Sequence, residues 1–142
     1  MPQIDGASDA HADDHAAIRR LDRDAFGGDR SALCDWLFEN ARVAVLRNGL
    51  RVDGFAACRE FGRGHVIGPL VAPDVSAAMA LVFRLAAPLT GQFLRLDVVE
   101  GDAFAQELTK FGLQPGARSP LMQRGETSIA PHYRTLFSQG FC

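Results

Sequence analysis

The feature of this sequence that most constrains its fold is an Asn48-Gly49 dipeptide between two runs of β-prone residues. The runs are residues 43–46 and 50–61. Asn and Gly both tolerate positive φ, so the dipeptide favours a type I′ turn, whose twist matches that of antiparallel strands. A second reversal at residues 62–64 leads into the apolar run 65–71. Together these signals predict a meander of three antiparallel strands.

Apolar residues recur at helical spacing on both sides of this meander. The predicted helices are residues 14–26, 31–40, 75–87 and 103–111. Alternating apolar residues predict a further strand at 92–99, and we expect a last strand at 118–124. A strand, a helix and a strand joined by short loops require a right-handed parallel crossover. The predicted order is therefore ααβββαβαβ, an α+β fold with a mixed sheet.

Composition divides the chain into three parts. Its 142 residues are the size of one domain, which we assign to residues 14–126. Residues 1–13 are rich in Asp and Ala and lack periodic apolar positions, so we expect a loose leader. Residues 127–142 carry too many apolar side chains for a free tail. We expect them to pack on the domain or on a second copy of the chain, which makes a homodimer an open expectation.

Charge and cysteine content restrict the partners and the compartment. A formal net charge of −2 gives no electrostatic reason to bind nucleic acid or an anionic membrane surface. No stretch approaches the roughly 18 apolar residues that a membrane helix needs. The three cysteines are widely spaced, which argues against a disulfide framework and against a metal site. We therefore expect a cytoplasmic protein without a metal.

Four segments and two shorter motifs occur in a consistent order along the chain. The segments are residues 21–30, 54–56, 67–71 and 121–125, and the motifs are Val71-Ala72-Pro73-Asp74 and residues 108–113. Together they resemble the GNAT superfamily of acyl-CoA-dependent N-acetyltransferases, and most closely the C-terminal acetyltransferase-like domain of tandem GNAT proteins. The resemblance implies a GNAT-like acyl-CoA N-acyltransferase fold, acetyl-CoA as co-substrate, and an amine of a small molecule or a protein as acceptor.

The resemblance also implies where acetyl-CoA binds. In the family, the strands that correspond to residues 65–71 and 92–98 separate, and the pantetheine arm hydrogen-bonds to the exposed backbone like a short strand. That places the arm at Leu70 and Val71. The pyrophosphate then lies on the N-terminus of the next helix, where free N–H groups favour an anion. The corresponding residues are Ser76, Ala77 and Ala78.

Residues 74–79 depart from the family's phosphate loop, R/Q-x-x-G-x-G/A, because they contain neither a glycine nor a cation. Asp74 is either the N-cap of the helix, using a donor that a phosphate would need, or part of a modified phosphate site with Ser76. Both interpretations remain open at the level of sequence.

No motif identifies the catalytic groups. His65 is a candidate general base, because imidazole is the side chain that titrates near neutral pH. Asp97 and Glu100, at the end of the crossover strand, are candidates to orient the acceptor amine. Many family members place a tyrosine acid on the last helix, but residues 103–111 have none and the single tyrosine is Tyr133. Three functions stay open: an N-acetyltransferase, a catalytically silent GNAT-like domain with a ligand-binding or assembly role, or an unrelated α/β binding module.

Overall fold

The computed structural model describes residues 6–99 and 101–116, together with the backbone of residues 133–135. Within these ranges the chain forms six strands and four α-helices. The elements are β1 (Ala7–Asp9), α1 (His15–Phe26), α2 (Ser31–Asn40), β2 (Arg42–Asn48), β3 (Arg51–Phe61), β4 (Gly64–Val71), α3 (Val75–Ala86), β5 (Leu94–Arg95), α4 (Ala103–Lys110) and β6 (Tyr133–Thr135). Short 3₁₀ turns precede α1 and follow α3.

The strands form one mixed sheet in the order β1-β2-β3-β4-β5, with β6 also paired to β4. The first four strands are antiparallel neighbours, and β4 and β5 are parallel. The parallel pair flanks α3, as the predicted crossover requires. The predicted α+β fold with a mixed sheet is therefore confirmed.

Helices cover both faces of this sheet. Because side chains alternate along a strand, neighbouring residues serve different layers. On one face, Val45 and Phe55 pack against Ile18 and Ala25 of α1. On the other face the sheet packs against α3 and α4, and its members there include Ala44, Ala56, Ile67 and Leu70. The result is a three-layer arrangement with two apolar cores.

A buried ion pair ties α1 to the start of α2. The guanidinium of Arg30 donates to both carboxylate oxygens of Asp22, at 3.0 and 2.6 Å. Arg30 also lies over the ring of Phe26, with 3.9 Å between the guanidinium carbon and the ring centroid. The two charged side chains are 5% and 1% exposed, so each depends on the other for its compensation.

The expectation of a loose leader was wrong for residues 7–9, which form β1 along the edge of β2. The carboxylate of Asp9 accepts hydrogen bonds from Arg42 at 3.0 Å and from Arg84 at 3.3 Å, so it joins β1 to both β2 and α3. A strand of three residues is too short to show a periodic pattern, and it forms here because its backbone pairs with β2.

The position and type of the β2–β3 turn also differ from the prediction. Asn48 pairs with Arg51, so the turn residues are Gly49 and Leu50 rather than Asn48 and Gly49. Gly49 has a φ of 65°, and no non-glycine residue in the described ranges has positive φ. Positive φ at the first turn position alone is the pattern of a type II′ turn, not type I′.

Element boundaries otherwise agree with the predictions to within two residues, except at β5. That strand has two residues, whereas the alternating pattern predicted residues 92–99. The predicted strand 118–124 lies outside the described residues. None of the helices in residues 6–99 and 101–116 is long and apolar enough to cross a membrane.

Candidate functional site

The parallel strands β4 and β5 touch only where they begin. Their register joins His65 to Leu94 and Val66 to Arg95, and goes no further. The amide of His65 donates to the carbonyl of Phe93 at 2.9 Å. Beyond this point β4 continues to Val71, whereas residues 96–99 form no strand. We call the region beyond Val66, where β4 and residues 96–99 are no longer paired with each other, the wedge.

Gly64 allows the close approach at the base of the wedge. A Cβ atom added to Gly64 would lie 2.1 Å from the carbonyl oxygen of Phe93, far inside van der Waals contact. A glycine is therefore required where β4 and β5 meet.

The backbone of β4 is irregular along the wedge. The Gly68-Pro69 peptide bond is cis, and the pairing with β3 shifts register between Ala56 and Cys58. Pro69 has no N–H to donate. The guanidinium of the buried Arg59, on β3, donates to the carbonyl of Gly68 at 3.0 Å. The register shift falls opposite Gly68 and Pro69, because Ala56 pairs with Leu70 and Cys58 with Ile67.

Arg59 is the centre of a polar cluster that joins β3, β4 and β5. The cluster, which we call the Arg59 cluster, consists of Arg59, Phe61, Arg95 and Asp97. The guanidinium carbons of Arg59 and Arg95 lie 5.6 and 5.5 Å from the ring centroid of Phe61. Arg95 donates to both carboxylate oxygens of Asp97, at 2.9 and 3.1 Å.

The pKa of Arg59 is set mainly by burial. Arg59 is 6% exposed. Burial lowers its pKa below the usual arginine value, an effect that the negative charge of Asp97 opposes and the positive charge of Arg95 reinforces. Because an arginine stays protonated even so, Arg59 keeps a permanent positive charge buried beside the Gly68 carbonyl of β4.

The outer edge of β4, meaning the side at Leu70 and Val71 that faces away from β3, is already paired. A Cβ on Gly54 of β3 would lie 2.7 Å from the carbonyl oxygen of Val71, so that carbonyl points toward β3. Successive strand residues direct their backbone groups to opposite sides, so Leu70 directs its N–H and C=O outward. There β6 pairs with β4 in an antiparallel register that joins Leu70 to Thr135 and Val71 to Tyr133.

The N-terminus of α3 follows the end of β4 and is capped by Asp74. The carboxylate of Asp74 accepts the amide N–H of Ala77 at 2.7 Å, and its carbonyl accepts that of Ala78 at 3.0 Å. Ser76 is exposed on the first turn. The N-cap interpretation of Asp74 is therefore confirmed, and with this cap in place a phosphate has neither of those two amides available.

The predicted site residues fall into two groups at opposite ends of β4. Leu70 and Val71 lie next to the α3 residues Ser76, Ala77 and Ala78. His65 lies at the other end of the strand, about 16 Å away at 3.3 Å per residue. Glu100 lies outside the described residues.

His65 borders a cavity of about 430 Å³ at the end of the sheet where β2 and β4 begin. The lining residues include Trp36, Arg42, Arg59 and Glu60. Its Nδ1 is buried and has no hydrogen-bond partner among the described residues. The assignment of His65, Asp97 and Glu100 to catalysis stays a prediction.

Pairing of the parallel strands β4 and β5 ends after two residues, and a capped helix begins at the far end of β4. This arrangement fits the class of acetyltransferase folds that the sequence motifs predicted. A family model described as an acetyltransferase (GNAT) domain matches residues 18–138. The chain therefore belongs to the GNAT acetyltransferase family.

Two solved structures are similar to the chain. A protein of Pyrococcus horikoshii, assigned provisionally as an acetyltransferase, is 26% identical with a TM-score of 0.55. The similarity covers 78% of this chain but 35% of that protein, so the chain spans about a third of its length. A variant of the TTHA1254 protein of Thermus thermophilus has a TM-score of 0.55 at 16% identity, covering 85% of this chain and 98% of that one, which shows the fold alone. No curated protein matches.

Sequence reasoning missed the Arg59 cluster and the pairing of β6. One signal for the cluster was available, because Arg59 directly follows the apolar run 55–58 in a predicted central strand. A charge at that position calls for a buried partner. No comparable signal pointed to β6, because the edge on which a three-residue strand pairs is decided by tertiary structure.

Proposed function

We propose that the chain is an acyl-CoA-dependent N-acetyltransferase whose thioester arm binds in the wedge, along the outer edge of β4. The reaction forms an amide N–C bond and breaks the thioester C–S bond. One proton passes from the amine to the departing sulfur, so that the products are an N-acetyl amine and the free thiol of CoA.

The observation that carries this proposal is the end of β4–β5 pairing at Val66. Where parallel strands separate, the backbone groups of the longer strand need another partner, a place that β6 takes at Leu70 and Val71 in the chain without ligand. An extended amide chain supplies alternating donors and acceptors of the kind that a strand edge binds. Pantetheine contains two amides in an extended arm, so its chemistry fits the edge at Leu70.

The first turn of α3 does not fit a pyrophosphate in the same way. The Asp74 carboxylate already accepts from Ala77, and residues 74–79 bring no cation. A negative side chain at a helix N-terminus opposes a second anion. Ser76, Ala77 and Ala78 are thus proposed contacts only with the Asp74 cap displaced, and we derive no catalytic step from them.

The acceptor is proposed to be an amine of a small molecule or of a protein, as the family implies. Asp97 supports this in part, because its carboxylate lies beside the wedge and is 11% exposed. Its bidentate pairing with Arg95 favours a positioning role over proton transfer. His65 and Glu100 are kept as candidate bases, and the proposed setting is the cytoplasm.

Binding is the measurement that tests this proposal. Thermal melts are compared with acetyl-CoA, with free CoA and with adenosine 3′,5′-bisphosphate, which lacks the pantetheine arm. A ligand at 100 times its dissociation constant stabilises a protein by about 2.7 kcal/mol. We expect acetyl-CoA and CoA to raise the melting temperature and the bisphosphate to have little effect. The absence of a shift at millimolar acetyl-CoA would overturn the proposal.

A second candidate is a catalytically silent GNAT-like domain with a ligand-binding or assembly role, including assembly with a copy of itself. The Asp74 cap and the pairing of β6 on β4 favour it, because both occupy positions that acetyl-CoA would use. Acetyl-CoA binding without acetylation of any member of an amine panel would support this candidate.

A further inference from the structure

Two segments fit the backbone groups at the outer edge of β4: the strand β6, which pairs there, and the pantetheine arm of the proposed acyl-CoA. We propose that residues 133–135 are an exchangeable strand that holds this edge in the resting chain, and that acyl-CoA binds only when this strand leaves. The inference rests on the proposed function for the identity of the competitor. In this proposal, β6 regulates the access of acyl-CoA to the wedge.

The two occupants exclude each other because they use the same atoms. Leu70 directs its N–H and C=O away from β3, toward β6. Its neighbour on the β3 side is Ala56, so β4 has no second free edge at this point. Paired strands lie about 4.8 Å apart, and a third chain cannot enter that spacing.

The attachment of β6 is slight compared with the long ladder between β2 and β3. It has three residues, and its register to β4 shifts between Leu70 and Val71. The β2–β3 ladder, by contrast, runs from Arg42 to Asn48. A strand held by so few backbone bonds opens far more readily than the sheet that it extends.

The apolar core described on this face of the sheet is built by elements that precede β6 in the chain. Residues 111–132 separate it from the end of α4. The apolar core on that face is made by β2, β3, β4, α3 and α4, with Phe104 and Leu108 as the buried residues of α4. Release of β6 therefore exposes the edge at Leu70 and leaves these described contacts in place.

Hydrogen exchange on the full-length chain tests the competition directly. With saturating acetyl-CoA, the amides of residues 133–135 should lose protection, while those of β4 keep it. Protection of both segments in the presence of bound acetyl-CoA would overturn the proposal. Bound acetyl-CoA that leaves every amide unchanged would overturn it as well.

A full-length variant separates this proposal from the proposed function. Thr135→Pro removes the N–H of residue 135 and should weaken β6, so that acetyl-CoA binds about tenfold more tightly. Gln139→Pro, the same change outside β6, is the control. If Thr135→Pro and the wild type bind acetyl-CoA with equal affinity, the strand-exchange proposal is wrong, whereas the proposed function is unaffected.

If no form of the chain binds acetyl-CoA, the proposed function is wrong and so is the competition with acetyl-CoA. A synthetic peptide of residues 130–138 then tests whether the edge of β4 can still exchange its strand. The peptide should bind Thr135→Pro and not wild type, which would establish the strand-exchange site by itself. Failure of the peptide to bind a folded Thr135→Pro chain would remove that site too.

Discussion

The carboxylate of Asp74 accepts the amide N–H of Ala77 at 2.7 Å, across the first turn of α3. This single bond satisfies one of the free donors of the helix and places a negative charge where a GNAT pyrophosphate would bind. Under the proposed function, stability and acetyl-CoA affinity are therefore opposed at Asp74.

Substitution of Asp74 separates the two effects. Asp74→Ala should lower the free energy of unfolding by about 1 kcal/mol, whereas Asp74→Asn should preserve it because Asn is an equally good N-cap. Both variants remove the charge and should tighten acetyl-CoA binding about two- to fivefold. Denaturant unfolding and calorimetric titration measure these quantities, with the exposed Asp24→Asn as control. Unchanged stability of Asp74→Ala would contradict the capping role.

Gly64→Ala tests the contact at the base of the wedge. The new Cβ would lie 2.1 Å from the Phe93 carbonyl oxygen, so β4 and β5 must move apart. We expect a loss of roughly 1–3 kcal/mol in unfolding free energy and faster exchange of the His65 amide. Gly116→Ala is the control, because a Cβ there meets no atom within 4 Å. Similar stability of the two variants would show that the strands do not depend on this approach.

The Asp22–Arg30 pair should be the most sensitive ion pair to substitution. Asp22→Ala leaves the buried Arg30 without the carboxylate that compensates it, at a cost of about 3–5 kcal/mol. The matched control is Asp35→Ala, which breaks the exposed pair with Arg19 and should cost less than about 1 kcal/mol. Urea unfolding of both variants compares them, and equal costs would refute the importance of burial.

Acid stability should depend on Asp14, which is 5% exposed. Burial alone would raise the pKa of Asp14, but hydrogen bonds from Arg47 and from the His11 amide outweigh it and the pKa is lowered. A carboxyl group whose pKa is lower in the folded chain stabilises the fold at pH values above its unfolded pKa, which is near 3.9. This contribution is lost as the pH falls through the folded pKa.

Asp14→Asn should therefore be less stable at pH 7, by roughly 1–3 kcal/mol, and should lose less stability on acidification. Unfolding free energies between pH 7 and pH 3 measure the slope, with the exposed Asp13→Asn as control. A slope equal to that of the wild type would show that Asp14 does not contribute to acid unfolding.

The sequence predicted those parts of the fold that depend on local pattern. The β2–β3–β4 meander and the α3 crossover carry strong periodicity and turn residues, so their order and approximate bounds could be predicted. The turn at Gly49 was misplaced by one residue, because Asn48-Gly49 and Gly49-Leu50 both place glycine where positive φ is needed.

The missed features depend on contacts between distant residues. β1 is held by Asp9, whose partners Arg42 and Arg84 lie far along the chain. The Arg59 cluster gathers residues of β3 and of the segment around β5, and no spacing rule predicts that meeting. For the site, the sequence predicted the N-cap role of Asp74 but not the pairing of β6 with Leu70.

The contacts of β1 determine where an expressed fragment of this chain should begin. Because β1 pairs with β2, and Asp9 also contacts Arg42 of β2 and Arg84 of α3, the residues from Gly6 onward are part of the folded domain. An expression boundary or a fusion junction should therefore be placed before Gly6, since a cut at Asp14 would leave the edge of β2 open to pairing with other chains.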